Sequence, residues 1–335
     1  MLYKCRVIPF RYNSPAVKRL TGVCKCRKAA RFLKIGTEIK HCLKRNKYIC
    51  QIFFMRVFSY ITDLKDFLQS QKQAQRTIGF VPTMGALHAG HLSLIEKAKS
   101  ENDICVCSIF VNPIQFNNPE DLKKYPVQTD KDMGMLREQG CDVVFCPDNK
   151  EMYPDAVKEK YDFGPLERVM EGAFRPGHFN GVAVVVKRLF DIVTPDKAYF
   201  GEKDFQQLQI IRSLVKQEKL PVTIVPCPIV RDTDGLALSS RNALLPPEHR
   251  RIAPQIAALL RECALLAGEL SIEGLKAYAR QKIAATPEFV LDYFEIAAEE
   301  TLQPIETWVD AKKIRAFIAV YLGKVRLIDN IEINL

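Results

Sequence analysis

The stretch TIGFVPTMGALHAGHLSLIEK, residues Thr77–Lys97, decides the fold because it passes from a strand through a tight turn into a helix. Its first residues are apolar and rich in β-formers, and its last residues repeat apolar side chains at helical spacing. Gly85 and Gly90 allow close approach of the backbone between the two elements. His88 and His91 stand three residues apart where the helix begins, so both imidazoles can lie on one side. Backbone N–H groups at a helix start bind anions, and the stretch therefore predicts a phosphate-binding cradle.

On both sides of this stretch, apolar β-rich runs alternate with helical patterns, which is typical of βαβ units and a parallel sheet. The predicted strands are Thr77–Val81, Ile104–Val111, Val143–Phe145, Ala198–Phe200 and Val222–Val225. The predicted helices are His91–Ser100, Asp130–Gln139, Phe179–Ile192 and Phe205–Gln217. We expect an α/β fold with a Rossmann-like, doubly wound parallel sheet. Ligands of such sheets bind beyond the carboxyl ends of the strands.

The domain organisation follows from where the patterns change. A short strand and an amphipathic helix follow Met55, with Thr62 or Asp63 as the helix N-cap, and they predict that a Rossmann-like domain occupies residues 55–235. After about Leu245 the chain reads as two helices, the second near Ile272–Ala284. Three strand-like runs follow, FVLDYFEIA, FIAVYLG and VRLIDNIEI. These runs predict a smaller C-terminal α+β domain over residues 243–335.

Residues 1–54 form a separate basic and cysteine-rich segment. Lys and Arg outnumber acidic residues there by 14 to 1, whereas the other 281 residues hold 35 basic and 38 acidic residues, so the net charge of +10 comes from this segment. We expect an extension without a function, either disordered or translated from a non-native start. The alternatives are a targeting peptide, an arm that binds nucleic acid, and a zinc site built from Cys24, Cys26, His41 and Cys42.

The overall composition excludes several classes of protein. Of the 335 residues, 47% are hydrophobic and 26% are charged, as in a globular protein with a core. No uncharged apolar run approaches the about 18 residues that span a bilayer, so we expect no membrane-spanning segment. The 11 cysteines are odd in number and irregularly spaced, which argues against a disulfide framework and for the reducing cytoplasm.

Five motifs occur in order along the chain: VPTMGALHAGH, FVNPIQF, RPGHFNGV, FGEKDFQQL and DGLALSSRN. The first contains an HxGH pattern that resembles the HIGH-type motif of the nucleotidyltransferase superfamily. All five together, from about Met55 to the C-terminus, resemble the pantothenate synthetase family. The resemblance implies an AMP-forming ligase, which joins (R)-pantoate to β-alanine and cleaves ATP to AMP and pyrophosphate through an enzyme-bound pantoyl adenylate. It also implies a homodimer.

The resemblance assigns site residues, and their chemistry suits adenylation. The catalytic residues would be four basic side chains, His88, His91, Lys203 and Arg241, which can neutralise charge on the triphosphate. Neutral amides would bind pantoate and β-alanine, at Gln115 and Gln207. Magnesium would arrive with the triphosphate, and no metal ligand is predicted. The residues expected to bind ATP are Met84, Gly85, Ala86, Leu87, His88, Ala89, Gly90, His91, Gly201, Glu202, Lys203, Asp204, Val230, Leu238, Ser239, Ser240 and Arg241.

Some assignments stay open. Asp204 can contact the nucleotide or cap the helix that begins at Phe205. His178 can line the pantoate pocket or hold Arg175 in place, and no general base for the amide-forming step stands out. The segment Asn117–Tyr125 is a candidate cover of the site.

Two other functions compete with the ligase hypothesis. One is a nucleotidyltransferase that acts on another small acid or on a phosphorylated alcohol. The other is a nucleic-acid-binding protein that uses the basic segment, and the net charge of −3 in the rest of the chain argues against it. We therefore expect small-molecule substrates, with neither nucleic acid nor a membrane as a partner.

Overall fold

The computed structural model describes residues 55–116, 122–123 and 125–335. Residues 1–54, with every hypothesis about them, lie outside this range, and so do residues 117–121 and 124 of the candidate cover. The described residues all belong to one compact unit, Phe53–Leu335. We call Arg56–Cys227 the N-terminal lobe, Pro247–Ile333 the C-terminal lobe and residues 228–246 the connecting segment.

The N-terminal lobe alternates strands and helices. Its strands are β1 (Arg56–Phe58), β2 (Ile78–Thr83), β3 (Ile104–Ile109), β4 (Val143–Phe145), β5 (Lys197–Gly201) and β6 (Thr223–Cys227). Its helices are α1 (Ile61–Gln73), α2 (Ala89–Glu101), α3 (Thr129–Glu138), α4 (Asn149–Met152), α5 (Met170–Phe174), α6 (His178–Val193) and α7 (Phe205–Gln217). One-turn 3-10 helices occupy Pro113–Gln115, Gly164–Glu167 and Glu202–Asp204.

The six strands form one sheet in the order β1-β4-β3-β2-β5-β6. All of its pairings are parallel. The chain first builds β3 and β4 on one side of β2 and later builds β5 and β6 on the other, so the strand order reverses at β2. Such a switch point opens a crevice beyond the carboxyl ends of the strands, and this position sets where a ligand can bind.

Apolar side chains cover both faces of this sheet. Phe80 of β2 belongs to the core cluster formed with α1, α6 and α7, whereas its neighbour Val81 belongs to the cluster formed with α2 and α3. Successive residues of a strand point to opposite faces, so a strand between two helical layers must be apolar at consecutive positions. The burial of β2 from Ile78 to Val81 follows from this arrangement. The predicted fold class is confirmed.

The C-terminal lobe contains helices α8 (Pro247–Ile252), α9 (Gln255–Leu266) and α10 (Ile272–Ala284). Its strands β7 (Phe289–Ala298), β8 (Ile314–Leu322) and β9 (Val325–Ile333) pair antiparallel in that order. Leu260, Leu275 and Ile318 are among the residues of its own apolar core. The domain boundaries at 235 and 243, which fall within the connecting segment, stay a prediction.

The start of α1 differs from the sequence prediction. Neither Thr62 nor Asp63 is the N-cap: both lie within the helix, whose N-cap is Tyr60. The first helical N–H group, that of Ile61, instead donates to Glu151 Oε1 at 2.7 Å. A tertiary hydrogen bond thus satisfies one of the N–H groups that the first turn of a helix leaves unpaired.

Two further observations concern the described residues. None of their helices is both long and apolar enough to cross a bilayer. Their cysteines are free thiols, at Cys105, Cys107, Cys141, Cys146, Cys227 and Cys263.

Candidate active site

A cavity lies at the sheet's switch point, where β2 and β5 end, and the connecting segment closes one side of it. Its walls include fourteen of the residues predicted from the sequence as site residues. They are Met84, His88, Gly90, His91, Gln115, Gly201, Lys203, Asp204, Gln207, Val230, Leu238, Ser239, Ser240 and Arg241. Side chains separated by more than 150 positions in the sequence therefore face one space.

Five other residues that were predicted to bind ATP do not line this cavity: Gly85, Ala86, Leu87, Ala89 and Glu202. Leu87 packs into the apolar cluster on the α2 and α3 side of the sheet. The assignment of all five residues to ATP stays a prediction.

The turn between β2 and α2 has a left-handed backbone at two consecutive residues, Gly85 at φ +79° and Ala86 at φ +50°. A carboxylate holds it in this shape. Asp132 Oδ2 accepts the N–H of Ala86 at 2.9 Å, and Asp132 Oδ1 accepts the N–H of Leu87 at 2.8 Å. A Cβ at Gly85 would approach Asp132 Oδ2 to 2.9 Å, so the turn also needs a glycine there.

Sequence reasoning missed Asp132. It lies in the first turn of α3, where an acidic residue ordinarily faces solvent and favours the helix dipole. In the structure it is only 1% exposed and bonds to a turn some 45 residues earlier. Acidic side chains follow one another so closely in TDKD that the sequence offers no signal to separate the buried one.

His88 and His91 close the N-terminus of α2 in a reciprocal arrangement. His88 Nδ1 accepts the N–H of Gly90 at 3.1 Å, and His91 Nδ1 accepts the N–H of His88 at 3.3 Å. Because Nδ1 is the acceptor in both rings, a neutral imidazole at either position carries its proton on Nε2. Both histidines line the cavity, with ring centroids 4.1 Å apart. The pair thus has two Nε2–H donors left for a ligand.

The electrostatics keep these rings neutral. Burial, assisted by the positive charge of Lys203, lowers the pKa of His88 from 6.5 to about 4. Burial, followed by His88 and Lys203, lowers the pKa of His91 to about 3. At neutral pH the cavity therefore presents two uncharged imidazole donors beside the cation of Lys203.

Lys203 reaches the cavity from the 3-10 helix that directly follows β5. Its nearest acidic neighbour is Asp204, at 3.9 Å from Nζ to Oδ1, and that carboxylate is half-exposed. Asp204 is the N-cap residue of α7, but its side chain makes no capping hydrogen bond. Its carboxylate therefore stays available to the cavity that it lines.

The connecting segment brings the remaining polar wall. It folds back at residues 231–237, so that the N–H of Leu238 donates to the carbonyl of Val230 at 3.0 Å. Ser239 then caps a short 3-10 helix, Ser240–Leu244, with its Oγ accepting the N–H of Arg241 at 3.3 Å. Hydroxyl groups and one guanidinium thus stand opposite the two histidines. Such groups bind phosphate oxygens well.

Two predicted amides, Gln115 and Gln207, line the cavity near the start of α6. Gln115 sits in the 3-10 helix Pro113–Gln115, whose Asn112 cap donates to Gln115 Oε1 at 3.2 Å and to the carbonyl of Gly181 at 3.1 Å. The backbone of α6 packs directly against this loop at Gly181, where a Cβ atom would lie 2.7 Å from Gln115 Cα. Only glycine therefore allows this contact.

His178 lines the cavity and also contacts Arg175, whereas a role toward pantoate stays a prediction. Arg175 Nη1 lies 3.1 Å from His178 Nε2, and His178 Nδ1 lies 2.9 Å from the carbonyl of Gln115. A guanidinium can only donate, so Nε2 accepts and Nδ1 carries the proton. Burial, with Arg175 beside it, lowers the pKa of His178 to about 4. Both ring nitrogens are thus occupied by protein partners.

The described residues contain no group of three or more His, Cys, Asp or Glu side chains that could hold a metal ion. In this part of the chain, the polar groups of the cavity include imidazoles, amides, hydroxyls, the cations of Lys203, Arg175 and Arg241, and the single carboxylate of Asp204. The excess of cations over carboxylates fits an anionic ligand.

A doubly wound parallel sheet, with a pair of histidines at the helix that follows its switch-point strand, defines the class of HIGH-type nucleotidyltransferases. Comparison with known proteins gives the particular family. A sequence model of the pantoate-beta-alanine ligase family matches residues 56–332, and the chain belongs to this family.

Individual relatives agree with this result. The pantothenate synthetase of Porphyromonas gingivalis is 50% identical over 278 residues, which cover 83% of this chain and 99% of the relative. The crystal structure of pantothenate synthetase from Thermus thermophilus matches with a TM-score of 0.78 and 44% identity, covering 84% of this chain and 100% of that one. The Francisella tularensis pantoate-beta-alanine ligase, crystallised with beta-gamma ATP and beta-alanine, matches with a TM-score of 0.71 and 39% identity, over 83% and 98%.

Proposed function

We propose that the protein is an ATP-dependent ligase that joins (R)-pantoate to β-alanine and releases pantothenate, AMP and pyrophosphate. The family to which the chain belongs supports a ligase of this specificity, and the relative crystallised with an ATP compound and beta-alanine supports these two substrates. One observation carries the proposal. Two neutral imidazoles, a lysine and a serine-arginine turn face the same cavity as two glutamines.

In the first half-reaction, a carboxylate oxygen of pantoate attacks the α-phosphorus of ATP, and the bond to the bridging oxygen of pyrophosphate breaks. The products are pantoyl adenylate and pyrophosphate. Negative charge builds on the leaving group, and Lys203 and Arg241, two of the cavity's cations, can balance it. Magnesium would enter bound to the triphosphate.

The histidines act in this step as hydrogen-bond donors. In each ring Nδ1 accepts a backbone N–H, which leaves the Nε2–H group to bind phosphate oxygens. The low pKa of His91, about 3, favours donation of a hydrogen bond over transfer of a proton.

In the second half-reaction, the amine of β-alanine attacks the acyl carbon of the adenylate, and the bond to the phosphate oxygen of AMP breaks. The amine must lose a proton. The three histidines of the cavity hold their Nδ1 or Nε2 acceptor positions in hydrogen bonds with the protein. We therefore assign the proton to water or to the departing AMP phosphate, with orientation supplying most of the rate.

The test is exchange of labelled pyrophosphate into ATP with pantoate as the varied acid. We expect exchange with pantoate alone, and pantothenate formation only when β-alanine is added. Exchange driven by another small acid but not by pantoate would replace the proposed substrate while keeping the nucleotide chemistry. No exchange with any acid would refute adenylation.

Two aspects of the protein's setting belong to the same proposal. We infer that it works in a reducing compartment such as the cytoplasm, because the six described cysteines are free and five of them are buried. We also infer a homodimer, as the family resemblance implies. Sedimentation equilibrium would give the mass of two chains, and a single-chain mass at micromolar concentration would exclude the dimer.

A further inference from the structure

Four polar side chains lie buried where the C-terminal lobe meets the candidate site. They are Glu299, Arg315, Asp329 and Asn330, with exposed fractions of 8%, 5%, 4% and 2%. Burial of charged and amide groups destabilises a fold unless each finds a partner. Three of the four side chains, Arg315, Asp329 and Asn330, contact residues outside the C-terminal lobe, and these contacts indicate what the cluster does.

Asn330 of β9 reaches the backbone that carries Lys203. Its Nδ2 donates to the carbonyl of Glu202 at 3.0 Å and to the carbonyl of Lys203 at 2.9 Å. Arg315 Nη1 donates to Asn330 Oδ1 at 2.7 Å. Because a guanidinium only donates, it fixes which end of the amide faces it, and the NH2 group must face the two carbonyls.

Arg315 is itself immobilised. Its Nε and Nη2 lie 2.8 Å and 2.7 Å from Glu299 Oε1, and its guanidinium lies 4.1 Å from the centre of the Phe205 ring. An ion pair on one side and a ring on the other leave the guanidinium one position. The buried contacts of Arg315 with Glu299 and Phe205 thus fix the orientation of the Asn330 amide that Arg315 binds.

Asp329, the preceding residue, holds the other nucleotide-binding segment. Its carboxylate pairs with Arg231 through two bonds, of 2.6 Å and 3.0 Å. Arg231 Nη1 also donates to the carbonyl of Gly235 at 3.2 Å, across the hairpin that joins Val230 to Leu238. Both of those residues line the cavity.

We propose that Asp329 and Asn330 are positioning residues of the ligase, through which the C-terminal lobe fixes both walls of the nucleotide site. Asn330 sets the place of Lys203, and Asp329 sets the hairpin that brings Val230 and Leu238 to the cavity. The proposal rests on the proposed function, because it assigns the purpose of the cluster to ATP. Neither residue lines the cavity that holds the predicted site residues.

The test for Asn330 uses two substitutions. Asn330→Asp keeps the volume and the contact with Arg315 and loses both donated hydrogen bonds, whereas Asn330→Ala loses all of them. We expect each to slow pantoate-dependent pyrophosphate exchange at least tenfold, with the KM for pantoate unchanged within twofold and the protein folded. If Asn330 only held Arg315 in place, the Asn330→Asp variant would exchange pyrophosphate at the wild-type rate, and this outcome would overturn the proposal. Asn334→Asp, an exposed amide just beyond β9, is the matched control.

A double-mutant cycle tests whether Asn330 acts through Lys203. Asn330→Ala should weaken ATP binding, measured by calorimetry, about tenfold in the wild-type chain and less than twofold in a Lys203→Ala chain. Equal losses in both chains would overturn the proposed route. Asp329→Asn should raise the KM for ATP about tenfold and leave the KM for pantoate unchanged, and an unchanged KM for ATP would remove Asp329 from the proposal.

Failure of this inference is distinguishable from failure of the proposed function. If the wild-type protein binds ATP but shows no exchange with pantoate, the ligase assignment fails while the calorimetric cycle still decides the role of Asn330. If the wild-type protein does not bind ATP, both proposals fail.

Discussion

Replacement of Asp132 by asparagine tests how the turn between β2 and α2 is held. The carboxylate accepts two backbone N–H groups, at 2.9 Å and 2.8 Å, and is buried. Asparagine keeps one acceptor but points its own NH2 group toward the other backbone donor. That donor, at Ala86 or Leu87, would be left buried and without a partner.

The size of the effect follows from these bonds. A hydrogen bond to a charged group contributes about 1.5–3 kcal/mol, a neutral one contributes about 1 kcal/mol, and an unsatisfied buried donor costs about 1–3 kcal/mol. We therefore expect Asp132→Asn to cost the native turn about 2–4 kcal/mol. The left-handed backbone at Gly85 and Ala86 can relax locally, and the cost then appears as lost geometry at His88. At about 1.4 kcal/mol per tenfold, adenylation would slow by about 30-fold to 1000-fold.

The measurement combines the rate of pyrophosphate exchange with urea unfolding, because the substitution can lower the catalytic rate, the free energy of unfolding, or both. Asp130→Asn is the control: Asp130 lies in the same first turn of α3 and is exposed, so its removal should change the free energy of unfolding by less than about 0.5 kcal/mol. If Asp132→Asn exchanged pyrophosphate within threefold of the wild type and unfolded within about 0.5 kcal/mol of it, the turn would not depend on this carboxylate.

Four further predictions address the site and the N-terminal segment. His91→Ala and Lys203→Ala should each slow adenylation by about two orders of magnitude or more in folded protein, since both groups meet developing charge, and a tenfold or smaller change in single-turnover rate would argue against their roles. Gln115→Ala should raise the KM values for pantoate and β-alanine, and a variant that raised only the KM for ATP would contradict this placement. The pKa of the cavity histidines, 6.5 in the unfolded chain, falls to about 4 for His88 and about 3 for His91. Between pH 6.5 and 5 the unfolded chain therefore binds more protons than the folded chain, so the free energy of unfolding should decrease as the pH is lowered through this window. His91→Asn should reduce the slope by about 0.7 kcal/mol per pH unit at pH 6.5 and by about 1.3 kcal/mol per pH unit at pH 5. A chain that begins at Met55 should keep full ligase activity, and a loss beyond tenfold, or salt-sensitive nucleic-acid binding that the shortened chain lacks, would give residues 1–54 a function.

The sequence predicted an element best where the same apolar residues both form the element and bury it in the core. Helix α7 occupies Phe205–Gln217 as predicted, because a period of apolar residues both forms the helix and buries it against the sheet. Strand β2 begins one residue later and ends two residues later than predicted, since parallel pairing with β3 carries it through Pro82 and Thr83. Backbone pairing with a neighbouring strand can thus extend a strand beyond the apolar residues from which the sequence predicts it.

The site was predictable as a set of motifs but not as a set of contacts. His88 and His91 could be placed at a helix start, yet their tautomers follow from backbone donors that only the fold brings near them. Asp132 and Asn330 escaped because each acts on the backbone of a distant segment. Every residue type carries a backbone carbonyl, and all but proline carry a backbone N–H. A side chain that binds such a group therefore has no partner that the sequence pattern could reveal.

The contact of Gly181 with the loop of Gln115 limits how this enzyme can vary. Side-chain rotamers cannot widen or narrow the cavity on that side, because the backbone of α6 lies directly against the loop of Gln115. New acid substrates would have to be accommodated by exchanging the amide itself or the opposite wall. Directed evolution toward longer hydroxy acids should accordingly gather its mutations around Gln207 and leave position 181 untouched.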